Sequence, residues 1–205
     1  MAAPGVASQR GSLAEIARAY LLLSATVKCE TAEGCVETIV AAASLMAHSL
    51  RGGGKILICG NGGSAADSQH LAAEFVSVLD KNRRRPAMAA IALTTDSSIL
   101  TAITNDFGYA EVFERQVEAL GRAGDVLLGI STSGTSENVI RALQLAVRKQ
   151  MRTIALTGVN AGRVGALAEV IVTIPSSDVQ HIQEAHLAVE HLLCRLTETA
   201  LFEGN

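Results

Sequence analysis

Apolar residues recur at helical spacing along the first fifty residues, and short continuous apolar runs follow. Ser12 and Glu15 have the spacing of a capping box, and the periodic stretch after them predicts a helix to about Val27. A second helical pattern covers about 32–50, and the glycines at 52–54 end it. The chain is therefore predicted to begin with two helices.

Five short apolar runs then alternate with helical patterns. The run at 55–59 is continuous, as expected for a strand covered on both faces. The predicted strands are 55–59, 88–93, 125–130, 153–156 and 170–174, and the predicted helices between and after them are 65–79, 96–103, 110–120, 136–149 and 179–201. This order predicts a five-stranded parallel sheet with helices on both faces. Ligands of such sheets bind at the carboxyl ends of the strands.

Size and composition indicate one globular domain. The chain has 205 residues, of which 49% are hydrophobic and 18% charged, enough for a single core. We predict a flexible tail at 1–11 and one domain at 12–205 that includes both leading helices. A net charge of −3 gives no general attraction for nucleic acid, and 3% aromatic residues argue against base-stacking platforms, so we expect no nucleic-acid partner.

Cysteine usage and the apolar runs bear on the compartment. The four cysteines form no C-x-x-C pair, and we interpret them as reduced core thiols. No apolar stretch approaches the roughly 18 residues of a membrane helix, and the first residues lack a signal-peptide apolar region. We therefore expect a cytoplasmic protein without a membrane partner.

A glycine-rich loop follows the first predicted strand. Residues 60–64, GNGGS, lead into a helix, where glycines permit close backbone approach and free amide groups favour an anion such as phosphate. Gly60 to Ala65 also fits G-x-G-x-x-A, with Asp80 about twenty residues later, so a dinucleotide fingerprint is an alternative. Asp80 argues against it, because that fingerprint's acidic residue ends the second strand and Asp80 precedes the strand at 88–93.

The loop after the third predicted strand is rich in hydroxyl groups. Residues 131–136, STSGTS, carry five hydroxyls immediately before a helix. Hydroxyls and free helix amides both donate to phosphate oxygens, whereas helix capping would explain only one of the five. No G-x-S-x-G or G-K-[ST] sequence supports a serine hydrolase or a P-loop. Binding of a phosphorylated small molecule is favoured.

Two helices carry candidate metal or acid-base groups. His70 and Glu74 are four residues apart and share a helix face, and Gln183 and His191 lie about 80° apart around the last helix. Nitrogen and oxygen ligands of this kind suit zinc. From spacing alone, a solvated helix face is the favoured interpretation of either pair.

Taken together, these segments resemble the sugar isomerase (SIS) domain, and more closely the sedoheptulose 7-phosphate isomerases, also called phosphoheptose isomerases. The resemblance covers most of the chain from residue 55 onward. Its segments are GNGGSAADSQHLAAE at 60–74, ALTTD at 92–96, NDFG at 105–108, GDVLLGISTSG at 124–134 and IQEAHLAVEH at 182–191.

The resemblance implies a flavodoxin-like α/β/α sandwich that forms a homotetramer with active sites at subunit contacts. It also implies the conversion of D-sedoheptulose 7-phosphate to D-glycero-D-manno-heptose 7-phosphate, the first step toward nucleotide-activated heptose in bacteria. The implied zinc ligands are His70, Glu74, Gln183 and His191. The implied substrate-binding residues are Asn61, Gly62, Gly63, Glu74, Asn105, Asp106, Ser131, Thr132, Ser133, Ser136 and Gln183.

A ketose-to-aldose shift through an enediol needs a base, an acid and a group that stabilises the developing oxyanion. By resemblance, Glu74 and His191 are the catalytic base and acid, while Asp106 and Gln183 orient sugar hydroxyls. A carboxylate that binds zinc tightly is a poorer base, and the sequence leaves this conflict open.

Val78 stands where the family commonly has arginine, and Gln180 where it commonly has aspartate. The cluster of arginines at 83–85 is a candidate source of the missing positive charge, although a solvated loop is the favoured interpretation.

Two other functions compete with the enzyme. Related tetrameric adaptors bind the bacterial replication initiator without catalysis and lack the residues that correspond to Glu74 and His191. Both residues are present here, which favours the enzyme. A sugar-phosphate-sensing regulator ordinarily carries a DNA-binding module, for which the predicted single domain leaves no room.

The two leading helices have no place in the strand and helix alternation, yet they are amphipathic. Their apolar faces must be buried, and we expect this burial between subunits. The candidate contacts are Leu21, Leu22, Val36, Ile39 and Val40. Packing of the same helices on the sheet of their own chain is the alternative.

Overall fold

The predicted alternation of strands and helices is confirmed in the computed structural model, which describes residues 11–203. The helices are α1 Leu13–Gly34, α2 Val36–Arg51, α3 Gly63–Val76, α4 Ser97–Phe107, α5 Glu114–Leu120, α6 Glu137–Arg148, α7 Gly162–Gly165 and α8 Val179–Phe202; the strands are β1 Ile56–Gly60, β2 Ala90–Ala92, β3 Val126–Ser131, β4 Arg152–Thr157 and β5 Val170–Thr173. Apart from Gly11, the predicted tail at 1–11 lies outside the described residues.

The five strands form one parallel sheet in the order β2-β1-β3-β4-β5. This is the flavodoxin-like order, in which the chain direction across the sheet reverses between β1 and β3. Gly60 at the end of β1 pairs with Ile130, one residue before β3 ends at Ser131. The glycine loop and the hydroxyl loop therefore start side by side at the point where this fold binds its ligands.

Alternate strand residues face two separate apolar cores. Ile56 and Ile58 pack with α2, α3 and α8 on one face, while Leu57 and Cys59 pack with α5, α6 and α7 on the other. We call these the first face and the second face. All five residues of β1 are buried, which explains why its sequence is continuously apolar.

The leading helices confirm one prediction and correct another. The capping box is present, with the Glu15 amide donating to Ser12 Oγ at 3.2 Å and the Ser12 amide donating to Glu15 Oε2 at 2.6 Å. The first helix, however, continues to Gly34 rather than ending near Val27, and α2 begins at Val36 rather than near residue 32. Residues 28–30 are helical but exposed, so the apolar periodicity lapses there without a change in structure.

Further boundaries differ from the predictions, and one short helix was not predicted. Helix α4 extends past 103 to Phe107, and the helix predicted at 110–120 is a 3-10 turn at Tyr109–Glu111 followed by α5. The four-residue α7 was not predicted, because one turn carries no periodicity.

Cys29 is exposed, which corrects its interpretation as a core thiol, while the other three cysteines are buried. No helix within 11–203 combines the length and apolar character that crossing a membrane requires.

Candidate active site

Helix α3 begins where the glycine loop turns over the end of β1. Gly62 precedes the helix with φ +57°, in the left-handed region that glycine adopts without strain. A Cβ on Gly63 would overlap the amide group of Gln183, so the absence of a side chain there lets α8 approach the first turn of α3. The structure thus brings Gln183 of one helix against the glycine loop that opens the other.

Further along the same two helices, three of the predicted metal ligands converge. The Nε2 atoms of His70 and His191 are 2.8 Å apart, and Glu74 Oε1 lies 3.8 Å from His70 Nε2. One donor atom from each of the three residues lies within 4.8 Å of the other two. Two imidazole nitrogens and one carboxylate oxygen are a donor set that can hold a divalent metal ion such as zinc.

Two carboxyl groups near this cluster, those of Asp67 and Glu190, were missed by the sequence analysis. Glu190 has no exposed surface, and its carboxylate oxygens have no hydrogen-bond partner among residues 11–203. Burial, and secondarily the negative charge of Asp67, raise the pKa of Glu190 to about 9. Burial also raises the pKa of Asp67 to about 6, although nearby His70 acts in the opposite direction. A charged residue between the apolar residues at 187–189 and 192–194 was the sequence signal for Glu190.

The hydroxyl loop has the geometry of an anion cradle. Ser131 Oγ and Ser136 Oγ are 2.9 Å apart, and Ser133 Oγ is 3.0 Å from Thr135 Oγ1, so the hydroxyls face one another in pairs. Ser136 is the N-cap of α6, yet its side chain makes no capping hydrogen bond. In the described part of the chain, the first two amides of α6, at 137 and 138, donate to no protein acceptor. The loop therefore offers hydroxyls and amide groups together to a phosphate.

Thr132 and Ser133 also line a neighbouring cleft of about 280 Å³ that reaches the start of α8. The remaining lining residues are Val159, Asn160, Ser176, Ser177, Val179 and Ile182. The cleft joins the hydroxyl loop on β3 to the helix that carries Gln183. A sugar phosphate held by the loop would therefore find open space toward α8.

Asn61 of the glycine loop is fixed by two residues that the sequence analysis did not single out. Asn61 and Asn138 exchange a pair of amide hydrogen bonds of 2.9 and 2.8 Å, and the Tyr109 hydroxyl donates to Asn61 Oδ1 at 2.7 Å. These contacts link the loop after β1 to the start of α6. A polar residue in the buried first turn of α6 was the available signal for Asn138.

Asn105 and Asp106 are not brought into contact with the other predicted site residues. Both lie on the last turn of α4 and are exposed, and the Asn105 amide donates to Asp106 Oδ1 at 2.8 Å. No residue of α4 is buried within the chain. Their predicted contact with substrate therefore stays a prediction.

Sequence and structure comparisons identify the family. The SIS domain profile matches residues 19–158. A phosphoheptose isomerase of Neisseria meningitidis serogroup B is 47% identical over 196 residues, which are 94% of this chain and 98% of the relative. One of Akkermansia muciniphila is 52% identical over 162 residues, 79% of this chain and 85% of the relative. The solved phosphoheptose isomerase of Neisseria gonorrhoeae superposes with a TM-score of 0.86 at 46% identity, covering 92% of this chain and 100% of that structure.

The chain belongs to the phosphoheptose isomerase family. Because relatives at about half identity extend over nearly all of the chain, membership covers both the glycine loop and the terminal helix. The alternative of a non-catalytic adaptor is not favoured by these comparisons.

Val78 stands where the family commonly has an arginine, and Arg85 is not free to supply the missing positive charge. The Arg85 side chain is only 5% exposed and is bonded to Glu198, and Arg83 forms an ion pair with Glu203. The idea that this cluster supplies substrate charge is therefore wrong for Arg85, because its donors are already occupied by protein acceptors.

Proposed function

We propose that this protein converts D-sedoheptulose 7-phosphate to D-glycero-D-manno-heptose 7-phosphate for the synthesis of nucleotide-activated heptose. The observation that carries the proposal is the convergence of His70, Glu74 and His191 on two packed helices, one of which begins at the glycine loop beside the anion cradle. Membership of the phosphoheptose isomerase family supports the same substrate class.

Glu74 and His191 are the proposed acid-base pair. The Glu74 carboxylate takes a proton from the terminal hydroxymethyl carbon next to the ketone, and His191 gives a proton to the carbonyl oxygen, which yields the enediol. Return of the proton to the former carbonyl carbon and loss of a proton from the neighbouring hydroxyl give the aldose. The arrangement suits this transfer because both groups lie at one cluster, on facing helices.

The substrate phosphate is proposed to bind Ser131, Thr132, Ser133 and Ser136. Paired hydroxyls and the free first amides of α6 support this assignment, since a dianion at a helix N-terminus is stabilised by the helix dipole. The glycine loop at 61–63 is proposed to approach the sugar through its backbone. Asp106 and Gln183 are proposed to orient the sugar hydroxyls, and Asn105 is a further proposed substrate contact.

Zinc is the proposed metal, one per subunit. The donor set fits, because His70 and His191 direct their Nε2 atoms to one point beside the Glu74 carboxylate, with Gln183 on the same pair of helices as the proposed fourth ligand. When bound, zinc would act as a Lewis acid on the sugar carbonyl. A metal-bound Glu74 is a weaker base, and a His191 whose Nε2 binds the metal has no proton to give from that atom. The effect of chelation on turnover therefore separates the two roles of both residues.

A homotetramer with shared sites is the proposed assembly. Leu21 and Leu22 are 68% and 61% exposed, and Val36 and Val40 are about half exposed, which supports their burial against another subunit. Ile39 is 3% exposed within the chain, so this residue of the predicted set packs in its own core. Exposed Asn105 and Asp106 on α4 agree with sites completed across a contact.

We further propose a single domain at 12–205 and a cytoplasmic location. All four cysteines are free thiols, the state that a reducing compartment maintains.

The decisive experiment incubates purified protein with sedoheptulose 7-phosphate, with and without a chelator, and follows heptose formation. Turnover that is lost on chelation and restored by Zn²⁺ is the expected result. Absence of turnover in the zinc-loaded protein would overturn the proposal and favour the adaptor, which binding to the replication initiator would then reveal.

A further inference from the structure

Arg85 is buried at the junction of α3 and α8, although it ends an exposed run of arginines. Its side chain is 5% exposed, and its partner Glu198 on α8 is 6% exposed. Arg85 Nε donates to Glu198 Oε1 at 2.6 Å. A buried ion pair needs further hydrogen bonds to offset its desolvation, and here the guanidinium finds them on the backbone.

Those further bonds are directed at the end of α3. Arg85 Nη2 donates to the carbonyl oxygen of Glu74 at 2.7 Å, and Nη1 donates to the carbonyl oxygens of Phe75, Ser77 and Pro86 at 2.8, 3.2 and 3.0 Å. The last carbonyls of a helix lack partners within the helix, so Arg85 caps the turn that carries Glu74. The residue whose carboxylate enters the metal and acid-base cluster is thus bound at its own backbone.

The other end of the contact lies on the helix that carries His191. Glu198 is seven residues after His191, which is two turns along α8, so both residues share one face. The rigid fork of one guanidinium therefore connects the Glu74 turn of α3 to the His191 face of α8. The cluster of His70, Glu74 and His191 depends on the position of these two helices relative to each other.

We propose that Arg85 is a positioning residue for the reaction: it fixes Glu74 relative to His191 by tying the end of α3 to Glu198. The inference rests on the proposed function for its kinetic consequence, but not for its effect on the metal cluster. Without this tie the α3 turn relaxes, and the three donor atoms lose their common point. Displacements of about 1 Å in catalytic groups cost up to roughly 100-fold in rate.

The test compares Arg85→Met, Arg85→Lys and Glu198→Gln in the full-length protein. We expect Arg85→Met to lower kcat for sedoheptulose 7-phosphate by roughly 10- to 100-fold with little change in KM, because the phosphate loop is untouched. Its dissociation constant for Zn²⁺ alone, measured by chelator competition, should rise on the order of 10-fold. Arg85→Lys should recover part of both losses, since it restores the charge but only some of the donors.

Val117→Ala is the control for general destabilisation. Val117 is fully buried on α5, on the second face of the sheet, and its truncation leaves α3 and α8 intact. At matched loss of melting temperature it should keep wild-type kcat and Zn²⁺ affinity. Equal losses in Val117→Ala and Arg85→Met would show that Arg85 acts only on stability and overturn the proposal, as would unchanged kcat and Zn²⁺ affinity in Arg85→Met.

Two further outcomes are decided by the same set of variants. If Arg85→Met does not fold, Arg85→Lys decides, because it keeps the charge opposite Glu198 but loses donors to the end of α3; wild-type kcat and Zn²⁺ affinity there would overturn the proposal. Glu198→Gln, which keeps an acceptor oxygen, should show a smaller loss than Arg85→Met. If the wild-type protein has no turnover, the proposed function fails by itself. The Zn²⁺ affinities of the variants then still support or overturn the role of Arg85.

Discussion

The two faces of the sheet bury polar groups in different ways. On the first face, Glu190 and His186 are fully buried, and both have atoms without partners in the described chain. On the second face, two buried amide side chains have their bonds made: Gln116 donates to the carbonyls of Leu93 and Val112 at 2.9 Å, and Asn138 is paired with Asn61. The buried histidine and glutamate with unpaired atoms thus lie on one face, and two satisfied amides lie on the other.

This difference matches a division of labour in the proposed function, with proton transfer on the first face and phosphate binding on the second. Proton transfer needs groups whose protonation can change, and burial on the first face shifts pKa values of the groups around the His70, Glu74 and His191 cluster. Phosphate binding needs fixed donors, which the second face supplies through α6 and the loop before it. The strand order lets both act on one ligand, because β1 and β3 end together at the reversal point.

The largest expected effect is on turnover, from changes on the first face. Glu74→Gln and His191→Ala should each lower kcat by about 10² to 10⁴ with folding preserved, because each removes one acid-base group from a partly exposed cluster. Steady-state kinetics and circular dichroism check both statements. Near-normal kcat in both variants would remove the acid-base role from this face.

The next effect concerns the outer surface of the first face, where α1 exposes leucines. Leu22→Glu should break the proposed tetramer and lower activity with it, since a charge would have to be buried between subunits. Val147→Glu, at an exposed position on α6, is the control and should leave the assembly intact. Light scattering gives the mass at the assay concentration. A fully active monomer would contradict the tetramer and the shared sites.

Changes on the second face should act on binding instead. Ser131→Ala combined with Ser136→Ala should raise KM on the order of 10-fold and leave kcat nearly unchanged, because hydrogen bonds to a charged phosphate are lost. Thr153→Ala is the control, since it removes a hydroxyl from the second face at the start of β4, outside the hydroxyl loop, and should leave KM unchanged. A loss of kcat with unchanged KM in the double variant would contradict the assignment of phosphate binding to the second face.

The sequence predicted the order of elements and the two loops well, because both depend on local patterns. Spacing also placed His70 with Glu74 on one helix face. Spacing could not place His191 beside these two residues, because His70 and His191 are 121 positions apart in the sequence. Only the family resemblance suggested that contact. The burial of Glu190 and the bonds of Arg85 depend on how α3 and α8 pack, so no local pattern contains them.

The same limit applies to the opposite case of α4. Asn105 and Asp106 match the family's motif, yet nothing within one chain surrounds them. If their surroundings come from another subunit, neither local pattern nor the fold of one chain can supply them. Site residues are therefore most predictable where one helix or one loop holds them, and least where two elements or two chains must meet.

The last expected effect is on stability, and it tests the titratable character of the first face. His186 Nε2 lies 3.2 Å from the Thr157 carbonyl oxygen in a buried position, and burial lowers its pKa from 6.5 to about 4. The unfolded chain therefore takes up a proton between about pH 6.5 and pH 4 that the folded chain does not. The contribution of neutral His186 to the free energy of unfolding is complete above pH 6.5. It is lost as the pH falls through this window, by about 3 kcal/mol in total.

His186→Gln keeps a side-chain donor but cannot titrate, so its free energy of unfolding should fall less steeply than that of the wild-type protein between pH 6.5 and pH 4. Gln116→Met on the second face is the control, because it replaces a neutral buried amide and should shift the free energy of unfolding equally at every pH. Urea denaturation at a series of pH values measures all three proteins. Parallel curves for His186→Gln and the wild-type protein across this window would mean that His186 is accessible to protons in the folded state, and the contrast between the two faces would then rest on the carboxyl groups alone.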